Sequence, residues 1–137
     1  MSNDIVGHCL CGKISYRADT EPAMIAVCHC RHCQRQSGTA FSIVVAVPAN
    51  TVVIEGETTT YDDRGASGKA VQRIFCGSCG SPIVSRVEAM PEIEFIKAGT
   101  LDDPSWLEPT LEIWCDHEQP WLQKENERAR LPGNPPV

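Results

Sequence analysis

The sequence predicts a mainly β fold of antiparallel sheets. Three observations predict it. Short β-branched runs recur at close intervals, turn residues separate them, and pairs of cysteines stand directly beside the runs. Lys13 to Ala18 alternates, with Ile14 and Tyr16 against polar neighbours, and reads as a strand. Phe41 to Val47 is a continuous apolar run. Pro48-Ala49-Asn50 then turns the chain into Thr51 to Glu55, and Gly56-Glu57 turns it again into Thr58 to Asp62. Asp63 to Lys69, with Gly65 and Gly68, reads as an exposed loop. Val71 to Phe75 leads into one cysteine pair and Pro82 to Val87 leaves it, while Ile93 to Ala98 and Leu111 to Trp114 supply the last strands. The single helical stretch is Arg31 to Gln36. From Lys124 the chain is charged and then rich in proline, which predicts a flexible tail at 124–137 behind a single domain at 1–123.

Composition narrows the function. The 42% hydrophobic and 22% charged content is that of an ordinary soluble domain, and 137 residues suffice for one core. A net charge of -6 repels a phosphate backbone, which argues against nucleic acid as a partner. Residues 1–7 show neither a basic start nor an apolar run, so no secretory signal is expected, and no stretch has the length of a membrane span. A cysteine-rich chain with these features is expected in the cytoplasm, where thiols stay reduced.

Seven of the eight cysteines fall into three clusters: Cys9-Leu10-Cys11, Cys28-His29-Cys30-Arg31-His32-Cys33 and Cys76-Gly77-Ser78-Cys79. A disulfide framework is the alternative use of such residues, but the loops within CxC and CxxC are too small to staple a fold usefully. CxC and CxxC far apart in sequence can instead close one tetrahedral four-thiolate site, which suits structural zinc. Gly12 and Gly80 follow the second thiol of each pair and permit the positive φ that turns backbone amides toward thiolates.

Cys28, Cys30 and Cys33 offer three soft ligands and a fourth position. Three thiolates leave a divalent zinc complex with one negative charge. Such a centre makes hydroxide poorly and accepts another soft donor readily, so it points to thiol chemistry. His29, His32 or Cys115 could close the fourth position and make the site structural; otherwise it stays exchangeable, and adjacent thiolates of this kind are readily oxidised. Trp106, Trp114 and Trp121 are candidates for core, rim or cleft walls. Arg31 and Arg35 are surface residues able to pair with a ligand carboxylate.

In these residues the chain resembles the glutathione-dependent formaldehyde-activating enzyme family, which includes centromere protein V-type domains. Gly7-His8-Cys9-Leu10-Cys11-Gly12-Lys13-Ile14 is similar to the family's opening segment. Cys28 to Gly38 is similar to its C-x-C-x-x-C-x-x-x-x-G segment, Phe75 to Pro82 to its C-x-x-C-G knuckle, and Pro109 to Trp121 to a closing segment ending in Pro-Trp. The resemblance covers residues 5–122 and implies a β-tent with two zinc ions. Cys9, Cys11, Cys76 and Cys79 match the structural zinc, and Cys28, Cys30 and Cys33 match the catalytic, more labile one. The implied activity is that of a carbon–sulfur lyase joining glutathione and formaldehyde as S-hydroxymethylglutathione. Many members carry histidine in the closing segment where this chain has Glu112, and Cys115 and His117 lie in its variable part. A zinc-stabilised binding module without catalysis is the competing expectation.

Overall fold

The structure is a computed structural model that describes residues 4–124 and 127–135. Eleven strands form two sheets among the described residues. The smaller sheet has the order β1 (Asp4–His8), β2 (Ser15–Asp19), β5 (Val52–Glu55). The larger one holds β3 (Met24–Cys28), β4 (Ser42–Pro48), β6 (Thr59–Arg64), β7 (Ala70–Phe75), β8 (Pro82–Val87), β9 (Ile93–Lys97), β10 (Leu111–Ile113) and β11 (Ala129–Arg130). Its order is β11-β10-β3-β4-β9-β8-β7-β6. Among the described residues one α-helix, α1 (Arg31–Ser37), follows β3. No described helix is long and apolar enough to cross a membrane.

The period of two along each strand divides the large sheet into two faces. Val45, Val47, Ile74, Val84 and Ile96 point to one face and pack with Ile5, Tyr16 and Ala18 of the small sheet and with Ile14 just before β2. Burying a side chain of this size stabilises a fold by about 1.5–3 kcal/mol, so this dry layer is what holds the sheets together. The opposite face carries Ala26, Val44, Ala46, Phe95, Met90 and Ile113, together with Cys28, Cys30 and Cys33. The three-thiol cluster thus has its own apolar layer, on the far side of the sheet from the main core.

The mainly β expectation is borne out, and most elements lie within two residues of their predicted bounds. Three strands, β1, β3 and β11, had no sequence signal strong enough to name them. In β1 the inward residues are Ile5 and Gly7, which give half a hydrophobic pattern. β3 is a run, Met24-Ile25-Ala26-Val27-Cys28, whose short apolar stretch does not distinguish strand from helix. Asp63 and Arg64, expected in a loop, extend β6 because they pair with Val71 and Ala70 across the hairpin.

Pairing is antiparallel except at β10, which runs parallel to both β3 and β11. These partners lie far apart in the chain, so long connections supply the crossover that parallel neighbours need. β11 also differs from the flexible tail expected at 124–137. Its described part returns to the sheet because β10 carries a buried acid. Glu112 meets His29 Nε2 at 2.7 Å, Arg130 Nη1 at 2.9 Å and Arg128 Nη1 at 3.5 Å. Arg130 also donates to Glu118. Leu131 N and Cys115 N complete the seam by donating to Glu112 O and Leu131 O. Residues 125, 126, 136 and 137 of the expected tail lie outside the described residues.

This seam gives a stability test. Arg130→Ala is expected to cost about 1–3 kcal/mol in chemical denaturation, because it leaves a buried carboxylate with less compensation. Adding Glu112→Gln to Arg130→Ala is expected to recover part of that loss. An additive double variant would contradict the pairing.

Candidate metal centres

Two hairpin turns bring the first cluster together. Cys9 and Cys11 lie in the β1–β2 turn, and Cys76 and Cys79 in the β7–β8 turn. Their four sulfur atoms lie within 4.8 Å of one another, with Cys9–Cys11 at 3.6 Å and Cys11–Cys76 at 3.7 Å. Gly12 and Gly80 adopt φ of 80° and 83°, as the knuckle reading expects, and donate N–H to Cys9 O and Cys76 O. Ile14 N donates to Cys9 Sγ at 3.3 Å. The Ser81 hydroxyl and backbone N–H, then the Cys11 amide, hold the Cys79 thiol down at about 5. All eight cysteines are free of disulfides, and four convergent sulfurs make a donor set that fits a soft tetrahedral cation.

The second cluster forms where β3 ends and α1 begins. Cys28 closes the strand, and Cys30 caps the helix by accepting from Cys33 N at 3.2 Å. Gly38 ends the helix in the left-handed conformation, donating to Gln34 O at 2.8 Å. One helical turn therefore folds Cys33 back beside Cys28 and Cys30. The three sulfurs lie within 4.8 Å of one another, and the residues that carry them are 5, 5 and 7% exposed.

None of the residues suggested for the fourth position joins them. His29 points away, to Glu112 and Cys115, as a residue between two ligands should. His32 Nδ1 meets Asp63 Oδ2 at 3.0 Å. Arg31 and Arg35 are exposed on α1, with Arg31 Nη1 donating to Gln34 Oε1 at 2.5 Å. Among the three tryptophans only Trp114 lines the adjoining cavity, while Trp106 and Trp121 are exposed.

That cavity, about 70 Å³, is walled by the three cysteines and by Val44, Val71, Val87, Met90, Phe95 and Ile113. Two buried cations also face it, Arg73 from β7 and Lys97 from β9. Arg73 Nη1 donates to Cys33 Sγ at 3.8 Å, and Asp63 Oδ2 holds its other edge at 3.2 Å. Cys33 is pulled well down by hydrogen bonds from Cys28 and Cys30, with burial opposing and the Lys97 and Arg73 charges adding to the fall. For Arg73, burial is outweighed by Cys33 and Asp63, which keep the guanidinium protonated.

Arg73, Lys97, Asp63 and Ser85 carried no motif in the sequence. The signal available was parity: Arg73 shares a strand face with Val71, and Lys97 with Phe95. A charge at an inward position asks for a buried partner.

Two clusters of converging thiols on a mainly β scaffold define a protein whose donor sets could hold soft metal ions. The chain belongs to the glutathione-dependent formaldehyde-activating enzyme family, whose profile matches residues 4–117. A Penicillium rubens protein that bears this family's name provisionally is 27% identical over 107 residues, 74% of this chain and 54% of its own. An Aspergillus flavus protein named in the same way is 28% identical over 109 residues, 74% and 56% of the two chains. The chain spans about half the length of the curated relatives it matches. A crystal structure of a Rhodobacter sphaeroides protein shares the fold, with a TM-score of 0.58 at 20% identity over 76% of this chain and 91% of that one.

Asp63 supplies a pH test. Burial raises its carboxyl, but His32, the Arg64 amide and Arg73 outweigh that and hold it below the ordinary carboxylate range. A depressed folded-state value stabilises the fold above the unfolded value, and that stability is lost as pH falls through the folded one. Denaturation midpoints are therefore expected to favour wild type over Asp63→Asn at pH 7 and to converge toward pH 3. A gap that stays constant with pH would contradict it.

Proposed function

We propose that this chain is a zinc-dependent carbon–sulfur lyase acting on a thiol adduct, with glutathione as the thiol, formaldehyde as the carbonyl and S-hydroxymethylglutathione as the adduct. The observation that carries this reading is a buried three-thiol cluster opening on an apolar cavity, with no fourth His, Cys, Asp or Glu donor joining it among the described residues. Membership of the family supports glutathione as the thiol and formaldehyde as the carbonyl. The cytoplasm is the proposed compartment, consistent with eight unpaired thiols.

Zinc held by Cys28, Cys30 and Cys33 would supply a soft Lewis acid that prefers sulfur and lowers the pKa of an incoming thiol. The chain's own residues set the conditions around it. Arg73 and Lys97 offset the negative charge of the thiolates, and Asp63 fixes Arg73 against Cys33. Met90, Phe95 and Val44 keep the reacting carbon dry. Glutathione exceeds the cavity, so its sulfur end enters while the rest of the tripeptide passes the exposed rim at Ala66, Ser67 and Asn134. In the forward direction the sulfur forms a bond to the carbonyl carbon and the thiol proton ends on the oxygen. Cleavage reverses both changes.

Cys9, Cys11, Cys76 and Cys79 are the proposed structural zinc ligands, tying the β1–β2 hairpin to the β7–β8 hairpin. Cys76→Ser is expected to lose about one zinc per chain and much of its thermal stability, since metal binding free energy is folding free energy. Cys30→Ser is expected to lose the other zinc and all metal-dependent activity while keeping the fold. Metal counting during stepwise chelation is expected to empty the three-thiol site first. Exchange spectroscopy of glutathione, formaldehyde and their adduct tests the reaction directly: zinc-loaded protein that leaves the spontaneous rate unchanged would sink the lyase reading.

A further inference from the structure

Two polar groups on the cavity wall remain after the thiols and Arg73 have been accounted for. Ser85 is 4% exposed, and among the described residues its Oγ has no hydrogen-bond partner. It lies in a wall shared with Val87, Met90 and Phe95, where a bare hydroxyl loses hydration without compensation. Lys97 is equally buried. Its Nζ donates to Ser42 Oγ at 3.2 Å, and no carboxylate lies within ion-pair distance among the described residues. An ammonium has three donors, so this contact does not exhaust it.

The sheet register puts these two groups side by side. Ser85 pairs with Phe95 across β8 and β9, and Lys97 is two residues further along the same face. They are diagonal neighbours, about 7–8 Å apart at the backbone, and both line the same cavity. Arg73, next to Ser85 in the same row, is already committed to Asp63 and Cys33 through three of its five N–H donors. A hydroxyl and an ammonium are both donors, so the atom they suit is an oxygen, and one gaining negative charge most of all.

We propose that Ser85 and Lys97 form the oxygen-binding wall of the three-thiol cavity, holding the carbonyl oxygen of the substrate and the hydroxyl oxygen that it becomes. This rests on the thiol-adduct reading above and adds to it the residues that bind the other half of the bond. As sulfur bonds to the carbonyl carbon, the π pair of the carbonyl moves to oxygen, between Ser85 Oγ and Lys97 Nζ. The thiol proton then completes the hydroxyl, so no outside reagent is needed. In the reverse direction the same donors hold the oxygen while the carbon–sulfur bond breaks. The wall also gives specificity: a site that donates to a hydroxyl rejects an analogue that carries methyl there.

The test is a binding comparison that does not depend on turnover. Zinc-loaded wild type, Ser85→Ala and Lys97→Met are titrated with S-ethylglutathione and with S-hydroxymethylglutathione, which differ in methyl against hydroxyl. Wild type is expected to favour the hydroxyl-bearing ligand about tenfold, the range of one hydrogen bond to a buried charged donor. Ser85→Ala is expected to lose most of that preference while keeping its zinc content and its affinity for S-ethylglutathione. Lys97→Met is expected to lose the preference and to slow exchange of the adduct. Ser85→Ala removes one unpartnered oxygen and carries the test by itself if Lys97→Met does not fold. Equal affinity of wild type for the two ligands, or an undiminished preference in Ser85→Ala, overturns the proposal and leaves the thiol site standing. Wild type that binds neither ligand overturns both.

Discussion

Charge compensation inside one apolar sheet face is the constraint on which the candidate site depends. Three thiols at the end of β3 and the start of α1 are almost wholly buried, and thiolates there would be costly without positive charge nearby. Arg73 and Lys97 supply that charge from β7 and β9, and Asp63 keeps the sum from becoming strongly positive. A soft divalent cation would suit such a set, because it would let the thiols ionise without leaving a large net charge. Cys28 and Cys30 do most to lower Cys33, and the buried cations that add to that fall would favour an additional thiolate in the cavity. Ligand cluster, countercharges and cavity are thus one electrostatic unit.

The two thiol clusters have separate mechanical roles. The four-thiol set joins turns from different sheets, so a metal there would clamp the small sheet against the large one beside the dry core. The three-thiol set belongs to the large sheet and its helix, and its neighbours come from β4, β7, β8, β9 and β10. Loss of the first should loosen the fold; loss of the second should leave the sheet's hydrogen bonding in place. The β11 segment closes the end of this arrangement. It neutralises Glu112 and brings Asn134 to the rim of the cavity, where Trp114 Nε1 donates to Asn134 Oδ1 at 2.9 Å.

Most of the scaffold and the thiol clusters were legible in sequence because both rest on local patterns. Alternation, apolar runs and turn residues named eight strands among those found, and CxC, CxxC and CxCxxC spacings named the converging sulfurs. What stayed hidden depends on partners distant in the chain. Met24 to Cys28 becomes a strand because β4 and β10 flank it, and Ala129-Arg130 because Glu112 needs a cation. Arg73 and Lys97 look like ordinary solvated charges until the sheet order places them beside Cys33. Ser85 carries no sequence signal at all, since its burial without a partner in the cavity wall arises only from the fold.

The central claim is that the three-thiol centre takes a fourth sulfur from a small thiol. Zinc K-edge X-ray absorption on protein loaded at both centres measures this directly. With one centre of four sulfurs and one of three, the mean is about 3.5 sulfurs per zinc before glutathione is added. Saturating glutathione is expected to raise it to about 4. A mean that stays at its starting value while glutathione is bound would contradict the account, as would a mean of about 4 before any thiol is added.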